Sequence, residues 1–142
     1  MTQQAGNGSP VGLIGLGAMG RGVASNLLAK GFKVVGRDVN PEALTWLLAK
    51  GGSVATGAAD LASACDVIVS FVVNDVQTED VLFGQDGLAA VLRPGSVFIA
   101  CSTMSPKYVR ELGVRLAAKQ IHLVDAPAVS YTHLTLPTKR IV

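Results

Sequence analysis

Little in this chain is charged, aromatic or sulfur-bearing, and each shortage removes a class of function. Charged residues occupy 15% of its 142 positions and aromatics 5%, with a formal net charge of +2. A balance so near neutrality leaves no basic stripe to follow a phosphate backbone, and no aromatic–basic cluster offers a stacking platform. Nucleic acid is therefore not expected as a partner. The two cysteines, Cys65 and Cys101, lack CxxC or Cys/His spacing and are too few for a disulfide framework. Both read as core thiols, and no metal site is expected. No apolar run approaches the ~20 residues needed to cross a bilayer, and the opening MTQQAGNGSP has no cationic stretch before an apolar one. The expectation is a soluble, cytoplasmic chain with no membrane partner and a disordered segment over residues 1–10.

What is abundant is aliphatic: 49% of the residues are hydrophobic, enough for the core of a single domain. These residues fall into short apolar runs separated by helical patterns. VGLIG (11–15), KVVGRD (33–38), SVA (53–55), DVIVSFVV (66–73), SVFIAC (96–101) and IHLVD (121–125) read as strands, the fourth as one buried on both faces. Between them MGRGVASNLLAK (19–30), NPEALTWLLAKG (40–51), AADLASAC (58–65), DVQTEDVLF (75–83), DGLAAVL (86–92) and SPKYVRELGVRLAAKQ (105–120) read as helical, the second capped by Asn40 with Pro41 in its first turn. Strands alternating with helices predict an α/β fold, a single Rossmann-like domain with a doubly wound parallel sheet over residues 11–127.

Between the first strand and the first helix stand Gly15, Leu16, Gly17, Ala18, Met19 and Gly20, a GxGxxG turn. In that setting the first glycine permits the tight turn, the second lets backbone approach a pyrophosphate, and the third lets helix pack against strand. The unpaired N–H groups of the helix start then attract the phosphate charge. Asp38 ends the second strand about 20 residues on, where a carboxylate accepts from ribose hydroxyls. The implied cofactor is NAD. Arg37 leaves NADP open: a slip of one residue at the strand end would set its guanidinium against a 2′-phosphate in place of Asp38, although alternation along a strand keeps the two side chains from serving one face together.

IGLGAMGRGVASNLLAKG (14–31) resembles the amino-terminal signature of the β-hydroxyacid dehydrogenases, the family of 3-hydroxyisobutyrate dehydrogenase and tartronate semialdehyde reductase, allied to 6-phosphogluconate dehydrogenase. Met19, Asn26 and Gly31 match it, and Val23 stands where the family usually has methionine. CSTMSP (101–106) is similar to the family's Ser-Thr segment after the fifth strand, and implies that Thr103 contacts the cofactor near its nicotinamide ribose. VVND (72–75) matches the loop beside the adenosine side, which implies roles for Val73 and Asn74. VVNDVQTEDVLFG with CSTMSP is most similar to the L-threonate dehydrogenases, which oxidise a sugar acid with NAD. The resemblance implies a hydroxy-acid substrate (threonate-like or 3-hydroxyisobutyrate-like), a homo-oligomer, and a helical second domain carrying a catalytic lysine. No lysine here has a matching context, so no catalytic residue is assigned and the chain alone is expected to be inactive. The reading from another class is a non-catalytic module that senses nucleotide or binds protein on the same fold.

Plainer roles stand beside these. Ser102 and Thr103 could cap the helix beginning near Ser105. His122 reads as a structural histidine. Trp46, Leu44, Leu47 and Leu48 read as helix-to-sheet packing, and Asp75, Glu79 and Asp80 as a solvated helix face, as do Lys107 and Glu111. In the resembling family, Asp-Ala-Pro at the last strand is followed by a glycine loop holding the substrate carboxylate. Here Asp125-Ala126-Pro127 runs into AVSYTHLTLPTKRIV, of which VSYTHLTLPT (129–138) resembles a translated sequencing-adapter read-through. Residues 128–142 are expected to be foreign to the domain or irregular; the alternative is a divergent terminus with an extra strand over residues 131–136.

Overall fold

The computed structural model describes residues 9–127 and 140–141. In chain order these form β1 (Val11–Ile14), α1 (Ala18–Ala29), β2 (Val34–Arg37), α2 (Pro41–Ala49), β3 (Ser53–Val54), α3 (Ala58–Ala64), β4 (Val67–Ser70), α4 (Asp75–Phe83), a 3-10 turn (Leu88–Ala90), β5 (Val97–Ala100), α5 (Pro106–Ala117), β6 (His122–Asp125) and β7 (Arg140–Ile141). The sheet order is β3-β2-β1-β4-β5-β6-β7, with β1 to β6 parallel. After β3 the chain crosses from one edge to the other side of β1, so the order reverses between β1 and β4, the point where open α/β sheets bind ligands. The doubly wound architecture expected from the alternation is present. Within the segment expected to be irregular, Arg140–Ile141 pairs antiparallel with β6 at Val124 and Asp125. Of the segment expected to be disordered over residues 1–10, residues 1–8 lie outside the described residues, as does the alternative strand over 131–136.

Adjacent strand residues face opposite layers, and the core divides accordingly. Leu13 joins Leu16, Ala24, Val34, Ala43 and Leu47 beneath α1 and α2. Its neighbour Ile14 joins Leu61, Ile68, Leu82, Phe98, Leu112 and Leu123 beneath the later helices. Among the described residues Phe98 is the largest fully buried side chain.

Helix starts follow local chemistry. The Asn40 side chain accepts from Glu42 N at 3.0 Å with Pro41 opening α2, and Ser105 accepts from Tyr108 N at 3.2 Å with Pro106 opening α5. Each such cap contributes about 1 kcal/mol.

Several expectations change. β4 covers only Val67–Ser70 of the apolar run at 66–73; Ile68 and Ser70 are fully covered on one face, while on the other Val67 and Val69 are half-buried, Val69 packing against the core beneath α1 and α2. Only a 3-10 turn at Leu88–Ala90 stands where a helical segment was read over residues 86–92. Ser105 is the cap of α5, not Ser102 or Thr103. Leu48 and His122 are exposed, because Leu48 sits on the outer side of α2 and His122 at the first, solvent-edge position of β6. Cys65 is buried, but Cys101 is half-buried. Burial pushes the Cys65 thiol up to about 11, with Asp66 adding to it, and raises Cys101 as well, so both stay protonated thiols.

Two acidic residues of α4, Asp75 and Glu79, are paired rather than merely solvated. Glu79 accepts from Arg115 Nη1 and Nη2 at 2.9 and 2.8 Å and from the Tyr108 hydroxyl at 2.7 Å. Arg115 also stacks over Phe83, 3.7 Å from the ring centroid. The Arg115 hydrogen bonds hold the Glu79 carboxyl below its ordinary range. Asp75 accepts from Ser105 N and Oγ, both at 3.2 Å. Together these contacts tie α4 to α5.

Candidate functional site

The site lies at the carboxyl ends of β1, β2, β4 and β5. β1 stops because Gly15 turns with φ +92°, a conformation that a side chain would resist. Its N–H donates to Arg37 O at 3.0 Å, which ties the turn to β2. Two residues later Gly17 caps α1 without any side-chain acceptor, and a Cβ built on it would meet nothing within 4 Å. Gly20 packs so tightly that a Cβ there would collide with the Gly15 carbonyl oxygen. The turn thus keeps backbone against backbone on its inner side and leaves free space and free N–H groups at the start of α1, which suits a pyrophosphate.

Of the turn residues, Gly17, Ala18 and Met19 are exposed, whereas the Leu16 side chain is buried in the core below. Leu16 takes part through its backbone: its N–H donates to Asp38 Oδ2 at 2.6 Å. The other oxygen of Asp38 accepts from Asn40 N at 2.8 Å. Asp38 therefore joins the glycine turn to the start of α2 while standing at the end of β2. Arg21, absent from the sequence-derived set, secures the same turn by donating from Nε to Leu16 O at 2.9 Å and stacking over Trp46 at 5.2 Å.

A cleft of about 990 Å³ opens beside the turn, lined by Gly15, Asp38 and Val73 among the sequence-derived residues, and also by Arg37, Val39, Phe71, Val72, Val76, Gln77 and Asp86. Its mouth carries three exposed valines, Val39 at 101%, Val73 at 66% and Val76 at 76%. Apolar side chains so placed present a surface to a flat heterocycle. Nothing in the local pattern singles out Val39 or Val76; they come together only because the ends of β2 and β4, on either side of β1, open onto one cleft. Asn74 spends its Oδ1 on capping α4, accepting from Gln77 N at 3.0 Å. Thr103 is exposed and its N–H donates to Val73 O at 3.2 Å, which brings the loop after β5 onto the loop after β4. Ser102 beneath it is buried and bonds Thr78 Oγ1 at 3.1 Å.

One expectation fails here. Alternation along β2 was to keep Arg37 and Asp38 off a common face, yet both line the cleft. Asp38 lies past the last ladder residue, where the strict two-residue alternation no longer applies. Arg37 is drawn aside instead by an ion pair with Asp86, Nη2 to Oδ2 at 2.9 Å.

An open parallel sheet with a glycine turn and an acidic strand end at its switch point defines a dinucleotide-binding domain. The chain belongs to the family described as the NAD binding domain of 6-phosphogluconate dehydrogenase, whose profile matches residues 10–131 and so reaches into the segment expected to be foreign. It is 47% identical to the L-threonate dehydrogenase of Cupriavidus necator over 117 residues, covering 82% of this chain and 39% of that enzyme. The NAD-dependent L-serine dehydrogenase of Pseudomonas aeruginosa is 32% identical, with the same 82% and 39% coverage. A solved structure of 3-hydroxyisobutyrate dehydrogenase from Salmonella typhimurium matches with TM-score 0.81 at 38% identity, over 87% of this chain and 43% of that one. The chain spans 39% of the length of these curated relatives.

Proposed function

We propose that this chain binds NAD in preference to NADP and forms the cofactor half of a cytoplasmic, homo-oligomeric dehydrogenase acting on a small hydroxy acid of the threonate or 3-hydroxyisobutyrate type. The observation that carries the cofactor reading is the Asp38 carboxylate, fixed by two backbone N–H groups at the lip of the cleft. The identity to hydroxyacid dehydrogenases supports the substrate class. The residues fit a dinucleotide: Gly17 and the uncapped start of α1 would hold the pyrophosphate, Asp38 the ribose hydroxyls, and Val39, Val73 and Val76 the apolar base. Thr103 and Asn74 are proposed to border the cofactor from the loops after β5 and β4. When bound, the nicotinamide accepts a hydride. The chain's own part is to bind it, orient it at the switch point and cover its adenosine end.

Asp38→Asn tests the cofactor choice, since it removes the charge that repels a 2′-phosphate while keeping one acceptor oxygen for the turn. The ratio of NADP to NAD dissociation constants should fall about tenfold, within the 1–3 kcal/mol that such a contact is worth. An unchanged ratio in titration calorimetry would remove Asp38 from this role.

A second expected outcome concerns turnover. The 142-residue chain should bind NAD yet form no NADH with L-threonate or 3-hydroxyisobutyrate. Hydride loss from a carbinol requires a base for the hydroxyl proton and a wall against water. The cofactor residues assigned here supply neither. NADH fluorescence rising above the enzyme-free rate would refute the assignment.

A further inference from the structure

The structure assigns to Asp86 a role in cofactor choice, resting on the reading of the cleft as a dinucleotide site. By holding Arg37 in an ion pair on the cleft wall, Asp86 withholds the guanidinium from a 2′-phosphate, so that NAD is the cofactor this cleft accepts. Asp86 lies 49 residues from Arg37, in the connection after α4, and nothing local marks it.

The geometry shows how the hold is made. Arg37 and Asp86 both line the cleft, and their side chains are half-exposed, so a bound phosphate would meet them in the same solvent-open space. An exposed ion pair between two free side chains contributes little, since ordering both offsets most of the attraction. Asp86 is not free. Its Oδ2, the oxygen that meets Arg37, also accepts from Ala58 N at 3.1 Å, at the start of α3. Its backbone sits at φ +58°, a left-handed turn position that aspartate and asparagine tolerate better than most residues. Gly57 leaves room for it: a Cβ there would stand 3.2 Å from the same oxygen. The carboxylate is thus set in place before Arg37 arrives, and only the arginine has to be ordered.

Charge completes the argument. Among the described residues the cleft is lined by three carboxylates, Asp38, Asp80 and Asp86, against the one guanidinium of Arg37. A 2′-phosphate, with nearly two negative charges at neutral pH, would have to displace Asp86 from Arg37 while approaching Asp38. A ribose hydroxyl meets no such cost. Neutralising position 86 frees a planar, permanently charged donor that suits a phosphate well.

Asp86→Asn is the discriminating variant. Asparagine tolerates the positive φ and keeps a carbonyl oxygen for Ala58 N, so the turn is retained while the charge is lost. Dissociation constants for NAD and NADP, measured by titration calorimetry on the whole chain, should show the NADP-to-NAD ratio falling about tenfold. The gain should shrink as salt is raised, because the groups are exposed to solvent. It should vanish in Arg37→Gln/Asp86→Asn, since the arginine is what the substitution releases. General loosening of the cleft would weaken both nucleotides together and leave the ratio alone. Arg37→Gln by itself provides a check that does not depend on the stability of position 86: it releases no cation and leaves the Asp86 charge unpaired, so the NADP-to-NAD ratio should stay level or rise. A ratio unmoved in Asp86→Asn, a gain that survives Arg37→Gln, or an Arg37→Gln variant that alone shifts the ratio toward NADP would each overturn the proposal while the NAD site stands. Binding of neither nucleotide by the parent chain would remove the site itself and this proposal with it.

Discussion

Gly17→Val should leave the fold standing and weaken NAD binding by a factor of about 100 or more. The backbone at Gly17 has φ −76° and ψ −162°, which valine adopts without strain, and its Cβ would point into open space. Loss of a favourable cap residue costs about 1 kcal/mol or less, so the melting temperature should fall by only a few degrees. The same open space is what a pyrophosphate would need. An isopropyl group there prevents close approach to the helix start and removes charge-assisted hydrogen bonds worth about 1.5–3 kcal/mol each. Two such bonds exceed a hundredfold in affinity, at about 1.4 kcal/mol per factor of ten. Titration calorimetry paired with thermal melting separates the two effects. If Gly17→Val binds NAD as the parent does, the cofactor lies elsewhere.

Gly20→Val, three residues along the same helix, should show the opposite behaviour: failure of the fold before any question of binding arises. Its Cβ would collide with the Gly15 carbonyl oxygen and touch the Phe71 ring at 3.5 Å. Neither neighbour is free to move. Gly15 is bonded through its N–H to Arg37 O at 3.0 Å, and Phe71 through its N–H to Ile14 O at 2.8 Å, so the turn is held from β2 and from the end of β4. A clash against fixed backbone costs about 3 kcal/mol or more, a large share of the 5–15 kcal/mol that typically separates folded from unfolded chains. The midpoint of urea unfolding should fall markedly, or the variant should accumulate unfolded. A Gly20→Val protein as stable as the parent would mean that α1 does not rest on this turn. The pair shows that one motif contains two kinds of glycine, one leaving space for a ligand and the other for its own chain.

Much of this protein was legible without coordinates because the deciding physics is local. The two alternating periodicities identified strands and helices, Asn40 and Pro41 marked the start of α2, and the GxGxxG spacing placed a tight glycine turn after β1 with Asp38 at the end of β2. Each depends on residues within a few positions of one another, or on a spacing that the strand–helix–strand unit imposes. The ends of apolar runs were less legible. The run at 66–73 reads as one strand, but the ladder stops at Ser70, paired with Ile14 and Ala100, because β1 turns away at Gly15. The remaining apolar residues then pass out along the cleft, which Val72 and Val73 line together with Val39 and Val76. The fate of the charges was decided by tertiary structure alone. Glu79 meets Arg115 across 36 residues, Asp75 meets Ser105 across 30, and Arg37 meets Asp86 across 49. No periodicity encodes such pairs, since they depend on which helix lies beside which strand after the chain has crossed the sheet. Thus the sequence by itself determined that a glycine turn and an acidic strand end are present, while the packing of distant segments determined which charges line the cleft beside them. The physical reason is range: backbone conformation and capping act over a few residues, whereas the electrostatics of the cleft is the sum of side chains brought together only by the completed fold.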